Sequence, residues 1–454
     1  MLAVREPAAR AAIRGVERGS SAQLAIPSLD LIRSVASIYG DCPWHIVRDR
    51  PGGELRRVNA ASEPALGRTA AEALDQARRL AELLRPEAAK RDRLASGSEQ
   101  IVMELQSSGL LVATAPEVLG GSGLPWSVAM KVVRAVAAAD NSAAMLLGYH
   151  YAVVRSVETA APNFLPVLAD CVRAGGYLAG VVNARDAPLE LEPDGDGYRL
   201  AGRKTFCTGA RVADWLFVSA RLGPDNASVL LPAARQGIAA NDDWDAFGER
   251  ASESGSVEFT GVKVKASEVA LANSQGTGEG EPWRTLSTPL IQLMFANLYI
   301  GAARGALDDA ADYVRTTARP WTASGVERAT DDPYVLEHFG LLGAQLAAAR
   351  ALADESGAQL DQALVRGPQL SPEERGTAAV AVYGAKLQAA RVALEVTQGV
   401  FELMGARSTS ERYGFDRRWR DVRVHSLHDP LFYKAKEVGA FLLTGALPEP
   451  SIYS

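Results

Sequence analysis

Cysteine is scarce: Cys42, Cys171 and Cys207 are the only three in 454 residues. They are too scattered for a disulfide framework, and no CxxC pair or HExxH segment offers a metal site. That usage points to a reducing, cytoplasmic setting. Long apolar runs are missing, so no membrane span is expected. The start, Met1-Leu-Ala-Val-Arg-Glu-Pro7, lacks a signal-peptide core, and Glu6, Pro7 and Glu17 argue against a transit peptide. No basic run is long enough to follow a nucleic acid, and a formal charge of −6 opposes one. What remains is an ordinary soluble profile, 47% hydrophobic and 22% charged. The chain is long enough for several packed layers or domains.

The periodicity changes twice. Residues 1–62 carry a short helical pattern at 27–39 and loop chemistry at Cys42-Pro-Trp-His45 and Pro51-Gly-Gly53, with no assignable role. Residues 63–170 read as helical, with helices over 70–84, 96–108, 126–139 and 142–157. Ser96 or Ser98 serves as a start signal. Residues 171–275 read as short strands (176–182, 189–191, 198–200, 204–206, 214–220, 227–231, 256–259 and 262–264) separated by Gly and Asp turns, a small β-barrel or sandwich. A Gly-rich linker, 275–282, precedes residues 276–454, where helices return over 285–319, 333–364, 371–404 and 430–443. Ser371-Pro-Glu-Glu374 is a capping box, and four long Ala-rich helices suggest an up-and-down bundle that packs against another subunit. Gly301-Ala-Ala-Arg-Gly-Ala306 lets another backbone approach.

Two stretches invite chemistry. Met145-Leu-Leu-Gly-Tyr-His-Tyr151 puts three polar-tipped rings into an apolar helix, either core residues bonded to backbone or a wall against a planar ligand. Near the C-terminus, six arginines lie between Arg407 and Arg423, and two of the five histidines follow in His425-Ser-Leu-His-Asp-Pro430. Asp429-Pro430 reads as a helix start with Asp as N-cap, which would set His428 at a helix N-terminus that favours anions. Either this is a solvated basic loop or it is a ligand site, and the combination favours the site.

The three-part plan and its motifs resemble the acyl-CoA dehydrogenase superfamily over residues 65–445. Gly202-Arg-Lys-Thr-Phe-Cys-Thr-Gly-Ala-Arg-Val-Ala-Asp214 is similar to that family's flavin-edge segment. Ser254-Gly-Ser-Val-Glu-Phe-Thr-Gly-Val-Lys-Val-Lys-Ala-Ser-Glu-Val269 is similar to its last β-strands, and Gly301-Ala-Ala-Arg-Gly-Ala-Leu-Asp308 to its first C-terminal helix. The fold implied is α+β: an N-terminal helical domain, a central β-barrel and a C-terminal four-helix bundle. Many members carry a catalytic glutamate after the Arg-Asp-Val-Arg423 position. Here that region reads Val424-His-Ser-Leu-His-Asp-Pro430 without that glutamate, residues 293–300 hold no acid either, and removing an α-proton from a thioester needs a placed carboxylate. The segment Tyr413-Gly-Phe-Asp-Arg-Arg-Trp-Arg-Asp421 followed by His-Ser-Leu-His-Asp-Pro430 resembles instead the flavin-dependent monooxygenase branch: dibenzothiophene monooxygenases, with amine N-hydroxylases and sugar nitrososynthases as cousins.

That resemblance implies reduced FMN, with FAD as an option, delivered by a separate NAD(P)H-dependent flavin reductase. Molecular oxygen is the co-substrate, and a C4a-(hydro)peroxyflavin transfers one atom to sulfur or nitrogen of a small substrate. It implies a homotetramer, and roles for single residues. Tyr149 contacts the flavin. Asn183, Ala184, Arg185, Asp186, Ala187 and Pro188 lie along the isoalloxazine. Lys204, Thr205, Phe206, Cys207 and Thr208 form its N5 edge. Arg319, Ala406 and Arg407 hold the phosphate, the last two across a subunit interface. His428 bonds the oxygen-bearing flavin, so His428, Thr208, Tyr149 and Asn183 are the catalytic candidates. Where dibenzothiophene enzymes carry a second histidine four residues before the tyrosine, this chain has Met145, whose thioether is neither acid nor base. An acyl-CoA dehydrogenase-type flavin oxidoreductase with another base, and a catalytically inactive scaffold, are the alternatives.

Overall fold

The first described helix begins where a capping box puts it. Thr69 accepts the Glu72 N–H and Glu72 takes the Thr69 N–H at 2.8 Å, satisfying two donors that a helix start leaves open; α1 then runs Ala70–Leu94. The structure is a computed structural model and describes residues 68–160, 162–271, 281–451 and 453–454. The readings at 27–39, 42–45, 51–53 and 275–280 lie outside the described residues.

Helices α2 (Ser98–Ser108), α3 (Trp126–Ala137), α4 (Asn141–Ala160) and α5 (Leu165–Ala174) complete the first helical layer. The start signal for α2 is corrected: Gly97 holds the N-cap place with φ 95°, and no serine hydroxyl caps the helix. Helix α5 was not marked by the sequence pattern, and it runs through the 170/171 boundary expected between domains.

Eight strands follow among the described residues: β1 (Leu178–Val181), β2 (Leu189–Asp194), β3 (Gly197–Lys204), β4 (Trp215–Leu222), β5 (Asp225–Pro232), β6 (Ile238–Ala240), β7 (Val257–Lys265) and β8 (Val269–Leu271). They form one sheet in the order β6-β7-β3-β2-β4-β5-β8, with β1 parallel on β4. Alternation decides which way β7 faces: Val257, Phe259, Val262 and Val264 are buried between exposed neighbours. The sequence reading broke this strand at Thr260-Gly261. The ladder continues there with a register shift opposite Leu200 and Gly202, and Gly261 sits at φ 59°.

The C-terminal layer holds α6 (Ser287–Thr316), α7 (Pro333–Arg366), α8 (Pro372–Met404), α9 (Arg417–His425) and α10 (Leu431–Thr444). Ser371 and Glu374 make the expected capping box of α8. Helix α6 is the spine, packed on α3, α4, α7, α8 and α9. Its glycines permit this: a Cβ on Gly301 would stand 2.5 Å from the Arg134 carbonyl oxygen, and one on Gly305 2.2 Å from Arg418 Nη1. The stretch Pro282–Thr316 is apolar and long enough to cross a bilayer, against the sequence-level expectation, but 89% of its apolar window is buried inside the protein.

Candidate active site

The two histidines meet a face of α6. Gln292, Phe295 and Tyr299 fall three and four residues apart, so they share that face. His425, the last residue of α9, is buried with its Nδ1 3.0 Å from the Tyr299 hydroxyl, which donates in turn to the His425 carbonyl at 3.2 Å. Phe295 meets both imidazoles edge-on, at 4.4 Å for His425 and 4.9 Å for His428. Burial, then the positive charge of His428 and Lys386, push the His425 pKa well below the usual histidine range. Its Nε2 is buried without a protein partner, as is Gln292 Oε1.

Asp429 does not cap the following helix, contrary to the sequence reading. Helix α10 starts one residue later with Pro430 at the N-cap and no side-chain cap. The Asp429 carboxylate is taken by a stronger partner, Lys386 of α8, whose Nζ lies 2.5 Å from Oδ1. His428 Nδ1 lies 3.3 Å from the same oxygen, and Gln292 Nε2 reaches Oδ2 at 3.5 Å. Burial alone would raise the Asp429 pKa. The His428 bond and the ammonium of Lys386 overcome it and hold the carboxyl below its usual range. Neither Lys386, Gln292, Phe295 nor Tyr299 was singled out from sequence.

The β-domain edge is locked from within. Lys204 Nζ donates to the Asn183 carbonyl at 2.9 Å, and Asn183 Nδ2 donates to Thr205 Oγ1 at 3.1 Å. Asp186 accepts the Thr205 N–H at 2.6 Å and its hydroxyl at 3.0 Å. Thr208, Ser254 and Ser252 form a buried hydroxyl chain with 3.0 and 2.7 Å links. Cys207 is buried, which pushes its thiol up to about 12, so it packs rather than reacts. Phe206 points outward at φ 56° and meets Trp244 edge-on at 5.8 Å. Ala184, Arg185, Ala187 and Pro188 are exposed on the adjoining turn.

Helix α4 connects the two halves and settles the question of its three rings. Tyr149 faces the site, 6.3 Å from Phe295 and 6.4 Å from His425. His150 is structural: its Nδ1 accepts the Leu178 N–H at 3.0 Å and its Nε2 bonds the Leu111 carbonyl at 2.8 Å. The Tyr151 hydroxyl donates to the Leu110 carbonyl at 2.8 Å. One turn earlier, Leu146 lies against Gly209, beside Thr208; a Cβ there would be 2.9 Å from Leu146 Cδ2. The Thr208 edge and the histidine turn thus share α4 as a neighbour.

Known proteins carry the same plan. The acyl-CoA dehydrogenase N-terminal, middle and C-terminal domain models match residues 69–161, 183–262 and 293–431. Dibenzothiophene monooxygenase of Rhodococcus erythropolis is 40% identical over 394 residues, covering 83% of this chain and 94% of that protein. The chain belongs to the flavin-dependent monooxygenase branch of the acyl-CoA dehydrogenase superfamily. Two solved members superpose on it with TM-scores of 0.80: FMN-bound TdsC from Paenibacillus sp. A11-2, 38% identical over 84% of this chain and 100% of that one, and methanesulfinate monooxygenase MsuC from Pseudomonas fluorescens, 34% identical over 84% and 99%.

In this monooxygenase the arginine-rich stretch is not a solvated strip. Arg417 and Arg418 are buried and pair with Asp309 of α6 at 3.5 and 3.0 Å, and Arg420 binds Asp92 and Asp416. Arg319 and Arg407, by contrast, are exposed, and neither guanidinium makes an ion pair among the described residues. Ala406 is exposed beside Arg407. Trp321 is exposed too, and Trp419 stacks on Phe247 at 6.3 Å.

Behind the site lies a buried acid pair. Glu249 takes the Asn141 side-chain amide at 2.5 Å and donates its backbone N–H to Asp421 at 2.7 Å. Burial and the Asp421 charge push Glu249 well above its usual range; burial and the Asp92 charge push Asp421 up to about 7. A carboxyl whose folded pKa is raised binds its proton more tightly in the native state. The pair therefore costs no stability below about pH 4, and a growing penalty appears as pH rises towards 7. Glu249→Gln keeps the shape and the Asn141 acceptor without the charge. It should match the wild type in urea unfolding at pH 4 and exceed it at pH 8; a variant less stable than wild type at pH 8 would contradict the reading.

Proposed function

We propose that this monooxygenase is the oxygenase component of a two-component system. It takes reduced FMN from a separate NAD(P)H-dependent flavin reductase and places one atom of molecular oxygen on the sulfur of a small organic compound. The other atom leaves as water, and the reduced flavin supplies both electrons. The observation that carries this is His428: its side chain is 44% exposed, its Nδ1 is tied to a buried carboxylate, and its Nε2 bonds no protein atom among the described residues. Such an imidazole can hold or deliver a proton at Nε2 toward an oxygen beside it. A dehydrogenase would instead need a free carboxylate base. Asp429 is engaged by Lys386 and held weakly basic, and Glu249 is fully buried against Asn141.

The residues fit the cofactor. His425 Nε2 and Gln292 Oε1 are buried and unpartnered, a cost of about 1–3 kcal/mol each that a bound group with a polar rim would offset. Tyr149, Phe295 and the Asn183-to-Thr208 edge supply a ring wall and fixed polar atoms for a planar three-ring system. Bound reduced flavin activates oxygen for electrophilic transfer. The chain's own part is to orient it, exclude water through Phe295 and Tyr149, and manage a proton at His428. Burial, then Glu249, push the Tyr149 pKa up, so its hydroxyl stays a donor.

Sulfur is favoured over nitrogen because dibenzothiophene monooxygenase at 40% identity and methanesulfinate monooxygenase at 34% are named for sulfur compounds, whereas the amino sugar nitrososynthases are 27–29% identical. Screening thioethers, sulfinates and amines with a flavin reductase, NADH and FMN, by mass for gain of one oxygen, tests this; oxygen gain confined to amines would overturn the sulfur assignment. Arg319 and Arg407 stand exposed with free guanidinium groups, as phosphate forks reaching into a neighbouring subunit would. Exposed Trp321, Phe432, Leu442 and Leu443 suit burial in the homotetramer this implies. Arg407→Ala should weaken FMN binding about tenfold or more by fluorescence titration; unchanged affinity counts against the phosphate role.

A further inference from the structure

Lys386 is fully buried on an Ala-rich stretch of α8, and nothing in the reaction as described requires a cation there. It lies on the Asp429 oxygen that His428 also faces, at 2.5 Å against 3.3 Å for the imidazole. We propose that Lys386 is a positioning residue: it is the fixed countercharge of Asp429, so that His428 bonds the carboxylate without having to supply the balancing positive charge and stays free to exchange a proton at Nε2. The consequence for oxygen transfer rests on the monooxygenase reading above; the charge relation itself does not.

The geometry argues for this division of labour. A buried carboxylate keeps its charge only if paired. Two nitrogens approach Oδ1. Lys386 is 0% exposed and takes the shorter bond, while His428 is 44% exposed and stands at the longer distance. Burial pulls the ammonium down to about 8, with the bond to Asp429 opposing that. The other groups around the pair do not replace it. From α6, Gln292 offers only a 3.5 Å contact, and Phe295 and Tyr299 are uncharged. From α4 comes the Tyr149 hydroxyl, and from the preceding turn the buried His425. On α10, Lys434 and Glu437 neutralise each other at 2.9 Å. Without Lys386, the nearest group able to balance Asp429 is His428, which would then be held as the imidazolium.

Histidine NMR on the full-length, flavin-free protein tests this, with the His428 signals assigned through His428→Gln. In Lys386→Gln, which keeps a donor to Asp429 and removes only the charge, the His428 titration midpoint should rise by about one pH unit, a tenfold gain in proton affinity. Lys386→Met should give at least that rise; Lys386→Gln keeps the test open if the methionine variant does not fold. A midpoint that stays within a few tenths of wild type, or falls, overturns the proposal. Because no flavin or substrate is present, a rise stands even if no substrate is ever oxygenated, and that second failure would sink the oxygenase reading alone.

Discussion

Replacing His428 by alanine should abolish most oxygen transfer while leaving the fold and FMN binding in place. The side chain is partly exposed and contributes one polar contact, the 3.3 Å approach to Asp429, besides its edge-on meeting with Phe295, so its loss opens no core cavity. Asp429 keeps Lys386 and remains balanced. On the role proposed for His428, what disappears is the group that holds a proton beside the reacting oxygen, an expected effect of roughly 10²- to 10⁴-fold on the rate of product formation. Single-turnover reactions with reduced FMN and oxygen should yield hydrogen peroxide in place of oxygenated product. Full turnover by the variant would remove His428 from the chemistry.

The largest stability effect is expected at Asp309, a residue with no proposed part in the reaction. Its carboxylate balances Arg417 and Arg418, both buried, with Arg85 at 3.4 Å as a third partner. Burial opposes its ionisation, but the two arginines overcome that and hold its pKa below the usual range. Asp309→Ala would leave two guanidinium groups inside the protein with their anion gone, at a cost of about 3–5 kcal/mol. A urea midpoint equal to wild type would show that solvent reaches this cluster. Since α9 leads directly into His425, a loosened Arg418 should also lower FMN affinity before global unfolding.

Local signals were legible and long-range charge pairing was not. The capping box at Ser371 and the glycines of α6 state their structural role within a few residues. The histidine turn was visible because two rare residues and a proline share six positions. Lys386 was invisible: it is an isolated cation in an Ala-rich helix, and its partner lies 43 residues away. Asp429 was misread for the same reason, since Asp-Pro is a good local helix start and only tertiary structure shows a lysine outbidding the backbone. The arginines of α9 read as a ligand site or a solvated loop, not as structural ion pairs, because their anions, Asp309 and Asp92, sit on helices distant in sequence.

Three consecutive rings on α4 answer to three different clients: Tyr149 to the cleft, His150 to the first β-strand, Tyr151 to the Leu110 carbonyl. A helix turns about 100° per residue, so inserting or deleting one residue here would misdirect all three together. The helix phase is therefore fixed by parts of the protein with no stake in the substrate. Met145, one turn before Tyr149 on the same face, is buried and carries only a pliable thioether, so a change of side chain there escapes the constraint that fixes the three rings.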